Sequence, residues 1–158
     1  MDADALTTAA GYGSIDTICL LLDNGANIEG RGQDGETALQ AAFGSREDRS
    51  DVIQLLLDRG AQLQMDARTL LAAARGGSTD NIRLLIDHGA NIEGRDQLGQ
   101  TALKQAAFYG HLEVMQLLLD HGVQPQMDAD ALTTAARYGS IDTICLLLDN
   151  GADIEGRD

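Results

Sequence analysis

Runs of three aliphatic residues recur along this chain at nearly regular intervals. They begin at Leu20, Leu55, Leu84, Leu117 and Leu146, so the successive steps are 35, 29, 33 and 29 residues. Each run lies in a segment whose apolar residues follow the 3.6-residue period of a helix, and a shorter alanine-containing apolar stripe precedes it. The pattern predicts five copies of a helix-turn-helix unit. Neither helix of such a unit can bury its apolar side alone, so neighbouring units must cover it.

One copy, residues 101–122, shows the repeating unit most completely. A narrow leucine and alanine stripe predicts its first helix, a leucine-rich run predicts its second, and a glycine-histidine turn separates the two. A final glycine stands where a left-handed C-terminal cap is expected. These positions resemble the ankyrin repeat, although Ala102 and Lys104 replace the family's Pro and His. The matching positions are Thr101, Leu103, Ala106, Ala107, Gly110, His111, Leu117 to Leu119 and Gly122.

The resemblance implies an all-α fold, an α-solenoid of about five stacked ankyrin helix-turn-helix repeats with short β-hairpin fingers. We expect a single ankyrin-repeat domain over residues 1–158. The connections at 25–37 and 89–101 have the length of a β-hairpin finger. Those at 60–68 and 122–130 are four residues shorter, so no full finger is expected there. The repeats are placed at about residues 2–32, 33–64, 65–96, 97–126 and 127–158.

Polar residues at the predicted helix starts are expected to act as N-caps. Asp4 takes the position of the family's capping threonine, and Ser14, Ser78 and Ser140 each follow a glycine before a second helix. Because three repeats share this serine position, a cap is favoured over a catalytic nucleophile. Repeat 2 carries two extra residues in the charged segment 44–51, which we place in a solvated turn between its two helices.

The fifth repeat copies the first, since residues 127–158 repeat residues 1–32 except at three positions. This last repeat keeps the apolar residues Ile141, Ile144 and Leu147, whereas a solenoid normally closes with polar capping repeats. The ends of the array are therefore expected to fray or to bind something. The three changes are Gly11 to Arg137, Asn27 to Asp153 and Gly32 to Asp158.

The net charge of −14 and the isoelectric point near 4.3 argue against two classes of ligand. Nucleic acids and anionic membrane surfaces would both be repelled. A simpler role of the charge is to keep a repeat array in solution. No apolar run approaches the roughly 18 residues that a membrane span needs, and no signal peptide is visible.

Two cysteines, Cys19 and Cys145, occupy the same position in repeats 1 and 5. If helix layers are about 10 Å apart, four repeat steps separate these residues by roughly 40 Å. A disulfide needs Cα atoms within about 7 Å, so no intramolecular bridge is expected. Unbridged cysteines fit a reducing, cytoplasmic location.

No residue pattern indicates catalysis, a cofactor or a metal. Residues 30–35 spell GxGxxG, but a dinucleotide site needs a preceding strand, and here a helix precedes the segment. His88, His111 and His121 lie in turns without metal-ligand spacing, and His111 matches the structural turn histidine of the ankyrin motif. The carboxylates recur in the same register in every repeat, as expected of a scaffold, because an active site would be unique. We therefore predict no enzymatic activity, no cofactor and no metal.

Exposed positions that vary between repeats are the candidate partner-binding residues. In the ankyrin family, contacts come mostly from the finger tips and from the residues before the turn glycine of the first helix. Four of the chain's five aromatic residues lie at these positions. Such rings are usual interface anchors, but they could equally cover the alanine-rich first helices from water. The candidates are Tyr12, Gln33, Asp34, Glu36, Arg75, Gln97, Leu98, Gln100, Phe108, Tyr109, Arg137 and Tyr138.

The resemblance implies a non-catalytic scaffold for protein–protein recognition, with another protein as its partner. The high internal identity is similar to the ankyrin sensor arrays of fungal nucleotide-binding immune-type receptors. This similarity implies the ligand-sensing or partner-binding part of a larger protein. The alternative is an engineered or excerpted array whose main property is stacking, with head-to-tail self-association through its uncapped terminal repeats.

Overall fold

A computed structural model describes residues 3–63, 66–125, 129–138 and 141–154, and within these ranges the chain forms ten helices. It divides into two compact units, Met1–Gln64 and Met65–Asp158, and this division coincides with the predicted boundary between repeats 2 and 3. In unit 1 the helices are α1 (Ala3–Tyr12), α2 (Ile15–Asp23), α3 (Ala38–Phe43) and α4 (Ser50–Asp58). In unit 2 they are α5 (Ala67–Gly76), α6 (Thr79–Asp87), α7 (Ala102–Tyr109), α8 (Leu112–Asp120), α9 (Ala129–Tyr138) and α10 (Ile141–Asp149).

Unit 1 contains two helix pairs packed side by side. The first helices α1 and α3 contact one another, and α2 and α4 each pack on the first helix of their own pair. Ala10, Ala38 and Ala42 are almost fully buried, and their small side chains let α1 and α3 approach closely. Ile18 and Phe43 supply buried bulk beside this alanine seam, which is how a chain with few aromatic residues builds a core.

Unit 2 by itself has the same kind of arrangement, with three helix pairs. The first helices α5, α7 and α9 contact in series, and so do the second helices α6, α8 and α10. The predicted stripe of repeat 4 is its centre, because Leu103, Ala106 and Ala107 are fully buried. Met115 and Leu118 of α8 are equally buried. Within the described residues, the all-α repeat fold predicted from the periodicity is confirmed, whereas the prediction of one continuous domain stays a prediction.

The connections between repeats are hydrogen-bonded turns. In unit 1 the single β-bridge of the described residues pairs Arg31 with Thr37, and the N–H of Gly32 donates to the carbonyl of Glu36 over 2.9 Å. In unit 2 the N–H of Asp96 donates to the carbonyl of Gln100 over 3.1 Å. These contacts close both long connections, but the predicted two-stranded β-hairpin fingers are not confirmed.

Side-chain caps fix where several helices begin. Thr37 and Gln40 form a capping box: the Thr37 hydroxyl accepts from the N–H of Gln40, and the Gln40 side chain accepts from the N–H of Thr37. Ser78 caps α6 as predicted, since its hydroxyl accepts from the N–H of Asn81. Ser14 stands at the start of α2 but makes no capping hydrogen bond, and Ser140 lies outside the described residues.

The prediction that Asp4 caps the first helix was wrong. Helix α1 begins at Ala3, so Asp4 lies in its first turn. The triplet Met-Asp-Ala begins at Met1 and again at Met65, and this register explains the error. Asp66 caps α5 by accepting from the N–H of Thr69, and its counterpart in repeat 1 is Asp2, which lies outside the described residues. Asp4 is thereby left to contact the following connection.

The inter-helix turn of repeat 2 lies at residues 44–49, where the two extra residues were predicted, but one of its charged side chains is not solvated. Arg49 is half-buried, its Nε donates to the carbonyl of Gly11 over 3.2 Å, and its guanidinium lies against Gly13. His111 makes the matching contact in unit 2, where its Nε2 is hydrogen-bonded to the carbonyl of Arg75 over 2.9 Å. In repeats 2 and 4, the residue before the second helix therefore clamps the turn of the preceding repeat.

Candidate functional site

Three aromatic rings meet on one side of unit 2, where α7 and α9 end. Phe108 and Tyr109 occupy the last two positions of α7, and Tyr138 occupies the last position of α9. The Phe108 ring centroid lies 4.6 Å from that of Tyr138 and 4.9 Å from that of Tyr109. These are attractive ring–ring distances, so the three side chains form a connected cluster across two repeats.

The aromatic cluster lines one end of a cleft of about 480 Å³ between α7 and α9, which we call the aromatic groove. Polar side chains line the remainder, and the Nζ of Lys104 lies 3.0 Å from a carboxylate oxygen of Asp130 across the groove. This ion pair links the two helices across the groove. The other lining residues are Gln100, Gln105, Thr133, Thr134 and Arg137.

The rings of the groove keep much of their surface in solvent. Phe108 is 43% exposed and Tyr138 is 55% exposed, whereas Tyr109 is half-buried. The guanidinium carbon of the exposed Arg137 lies 5.8 Å from the centroid of Tyr138, within the range of a cation–π interaction. The arrangement offers apolar surface and one positive charge on a protein whose net charge is −14. Chemically, it can bind an apolar group beside an anionic one.

The candidate residues in the long connection of unit 1 lie elsewhere, in a second cleft. The backbone N–H and the side-chain amide of Gln33 both donate to the carboxylate of Asp4, over 2.6 and 2.8 Å. Asp34 and Glu36 line the same cleft of about 330 Å³. Because Gln33 is already bound to Asp4, a ligand would have to displace that contact.

The other candidates are placed individually. Tyr12 ends α1, is 78% exposed and lines a shallow cleft of unit 1. Leu98, 82% exposed, is at the tip of the long connection of unit 2, and neighbouring Gln97 is also exposed. Arg75 is half-buried, and its carbonyl serves the clamp from His111. Of the predicted residues, the structure therefore groups Gln100, Phe108, Tyr109, Arg137 and Tyr138 in one place.

Sequence reasoning missed the polar side of the aromatic groove. Lys104 stands where the ankyrin motif has histidine. This departure was the signal in the sequence that the side chain at this position makes a different contact. Asp130 was not singled out because acidic residues are numerous, and its pairing with a residue 26 positions away is not visible in the sequence.

The described residues contain neither a metal site nor a membrane-spanning helix. They contain no group of three or more His, Cys, Asp or Glu side chains arranged to hold a metal ion. None of their helices has the length and hydropathy to cross a bilayer. Cys19 and Cys145 are free thiols.

Comparison with known proteins agrees with the helical repeats. A family model for ankyrin repeats, built from three copies, matches residues 1–68, 51–129 and 70–158. The chain is 34% identical over 130 residues to the ankyrin repeat and KH domain-containing protein mask-1 of Caenorhabditis elegans, covering 78% of this chain and 5% of that protein. It is 34% identical over 121 residues to a putative ankyrin repeat-containing protein of Treponema pallidum, covering 73% of this chain and 40% of that protein.

A third relative is the E3 ubiquitin-protein ligase XBAT33 of Arabidopsis thaliana, 49% identical over 47 residues, which cover 30% of this chain and 9% of that protein. The chain thus matches less than half the length of each of these relatives. Ankyrin repeats are in general non-catalytic modules of protein–protein interaction. With the matches and the stacked helix pairs in agreement, this chain belongs to the ankyrin repeat family.

Proposed function

We propose that the aromatic groove of unit 2 is the surface through which this chain recognises a partner protein. The observation that carries the proposal is the cluster of Phe108, Tyr109 and Tyr138, whose rings touch one another and remain partly exposed. Rings that served only to cover the alanine-rich helices would be expected to be buried. Exposed rings beside an arginine have the composition of an interface anchor.

The groove favours a partner segment that carries an apolar side chain next to a carboxylate. The apolar side chain would pack on Phe108 and Tyr138, and the carboxylate would pair with Arg137. Lys104 and Asp130 neutralise one another across the groove, so Arg137 decides its local charge. Such a segment binds without chemical change, in agreement with a non-catalytic role.

We extend the proposal to the place of the chain in its protein. As a binding module, the chain would be the ligand-sensing or partner-binding part of a larger protein, located in the cytoplasm. The resemblance to the sensor arrays of fungal immune-type receptors supports a sensing role. The free thiols of Cys19 and Cys145 support a reducing compartment.

A random-peptide library, displayed on phage and selected against the immobilised chain, tests the recognition proposal. We expect the selected peptides to bind Phe108→Ala and Tyr138→Ala at least tenfold more weakly than the parent chain. Tyr12→Ala is the matched control, because Tyr12 has the position in repeat 1 that Tyr138 has in repeat 5. Peptides that lose affinity equally for Tyr12→Ala, or that tolerate both groove variants, would refute the proposal.

The charge of the groove has its own control in the chain. Arg137→Gly restores the residue that repeat 1 carries at this position, Gly11, and therefore suits the repeat sequence. We expect it to weaken peptides that contain Asp or Glu and to leave uncharged peptides unaffected. Equal weakening of both groups would refute the pairing of Arg137 with a carboxylate.

Head-to-tail self-association is the rival function. It is supported by apolar side chains exposed on the two terminal repeats, such as Leu20 at 64% and Ile141 at 77%. Such a contact would not close on itself, so it would build columns of increasing length. Light scattering behind a sizing column decides the matter: a constant mass of 16.7 kDa across concentrations would reject self-association, and a growing mass would support it.

A further inference from the structure

The wall that α9 contributes to the aromatic groove carries opposite charges at its two ends. Asp130 lies in the first turn of α9, and Arg137 lies in its last turn. The two are seven positions apart, almost two full turns, so their side chains share one face of the helix and are about 10 Å apart along its axis. Thr133 and Thr134, which line the groove between them, are uncharged. A ligand in the groove therefore meets an acid at one end of this wall and a base at the other.

The ion pair at the acidic end of the groove has no net charge, but its two partners are unequally exposed. The side chain of Asp130 is 73% exposed, whereas that of Lys104 is 18% exposed. The ammonium group of Lys104 donates to Oδ2 of Asp130, and a carboxylate can accept several hydrogen bonds. A cation that approaches from solvent comes closer to the carboxylate than to the ammonium group. Because Coulomb energy falls with distance, the attraction to Asp130 exceeds the repulsion from Lys104.

The width of the groove limits the conformation of a bound chain. A cleft of about 480 Å³ that extends about 10 Å along α9 is roughly 7 Å across, narrower than the diameter of about 10 Å of a helix with its side chains. An extended chain fits this width. In the part of unit 2 that the structure describes, both walls of the groove are helices, and neither offers a strand edge. The polyproline II conformation is extended and needs no strand partner, since its backbone is solvated.

We propose that the groove selects a partner segment in the polyproline II conformation that carries a basic side chain three positions from an acidic one. This proposal rests on the recognition function of the groove and specifies its ligand. The acidic side chain pairs with Arg137, its apolar neighbour packs on the rings, and the basic side chain pairs with Asp130. Three residues of this conformation span about 9 Å and return to the same side of the chain, which matches the spacing of the two charges on α9.

The peptides selected from the phage library against the parent chain are the probes. We expect a Lys or Arg three positions from an Asp or Glu to be enriched over the unselected library. Each selected peptide is then synthesised in two forms, the parent form and a form in which glutamine replaces its basic residue. Binding of both forms to the chain and its variants is measured by fluorescence anisotropy.

Asp130→Asn should weaken the parent peptides about three- to fivefold, the range of an exposed ion pair, and leave the glutamine forms unchanged. Unchanged binding of the glutamine forms also shows that the variant is folded. Asp4→Asn is the matched control, because Asp4 is the counterpart of Asp130 in repeat 1 and accepts from Gln33 instead. It should leave both peptide forms unaffected.

Lys104→Gln separates ligand recognition from a merely structural ion pair. Removing the ammonium group leaves the carboxylate of Asp130 without its neutralising partner, so the parent peptides should bind about two- to fivefold more tightly. If the pair only held α7 against α9, Lys104→Gln and Asp130→Asn would both weaken binding. Opposite effects of the two variants on the same peptide are therefore the expected signature.

Selected peptides without the basic residue at this spacing would overturn the proposal. So would equal weakening of both peptide forms by Asp130→Asn, or weaker binding of the parent peptides to Lys104→Gln. If such peptides still depend on Phe108 and Tyr138, the groove remains the recognition surface and only its ligand is wrong. Peptides that tolerate Phe108→Ala and Tyr138→Ala would refute recognition by the groove, and the ligand proposal with it.

Discussion

The stability that His111 contributes by its contact with the turn of the preceding repeat can be measured by adding one methyl group at Gly77. Gly77 follows α5 with a φ of +83°, and a Cβ placed there would lie 2.5 Å from Cε1 of His111 and 2.6 Å from its Nδ1. The ring would have to move, and it is hydrogen-bonded to the carbonyl of Arg75. Gly110 is the matched control, because its φ is +74° and no atom lies within 4 Å of its Cβ position.

Gly110→Ala should therefore cost only the left-handed backbone strain, about 1–2 kcal/mol of unfolding free energy. Gly77→Ala should cost the same strain and, in addition, the displaced hydrogen bond of His111, worth about 0.5–1.5 kcal/mol. Urea denaturation followed by circular dichroism measures both variants. In a His111→Ala background the extra cost of Gly77→Ala should disappear. Equal costs for the two glycines, or no coupling to His111, would show that the clamp does not stabilise the fold.

Three further outcomes are expected. Leu118→Ala should lower the free energy of unfolding by about 2–5 kcal/mol in urea denaturation, because Leu118 is fully buried. Leu20→Ala, at a 64% exposed position, should lower it by less than about 0.5 kcal/mol, and similar costs for the two variants would contradict the assigned core. Thr37→Ala should cost about 0.5–2 kcal/mol in the same assay because it removes the capping box of α3, and an unchanged midpoint would refute the cap. The hydrogen bond from the Ser50 hydroxyl lowers the pKa of Asp48. The stability that this bond contributes is therefore present above the ordinary carboxylate range and is lost as the pH falls through the lowered pKa. Ser50→Ala should raise the pKa of Asp48 toward its usual value in a nuclear magnetic resonance titration, and an unchanged pKa would refute the cause.

Most of the helical architecture could be predicted because it depends on local periodicity. The stripe of Leu103, Ala106 and Ala107 is a pattern within five residues, and all three side chains are buried as expected. The Asp4 error also has a local cause, since two aspartates lie near the start of α1 and the wrong one was aligned with the capping position.

Contacts between distant parts of the chain could not be predicted in this way. Arg49 stands in a segment of alternating charge, a pattern that predicts solvated side chains. Its side chain nevertheless donates to the carbonyl of Gly11, 38 positions away. The aromatic residues of the groove were singled out by position, but the contact of Phe108 with Tyr138 depends on how α7 lies against α9. Sequence identifies residues that can anchor an interface, and only the packing of helices shows which of them form one surface.

The measurement that tests the central proposal most directly is hydrogen exchange of the chain with and without a library-selected peptide. If the aromatic groove is the recognition surface, saturating peptide should slow exchange in the last turns of α7 and α9, around Phe108 and Tyr138. The same peptide should leave α1 unchanged, although α1 and α9 share nearly the same sequence. Protection confined to the long connections, or equal in α1 and α9, would contradict the assignment of recognition to the groove.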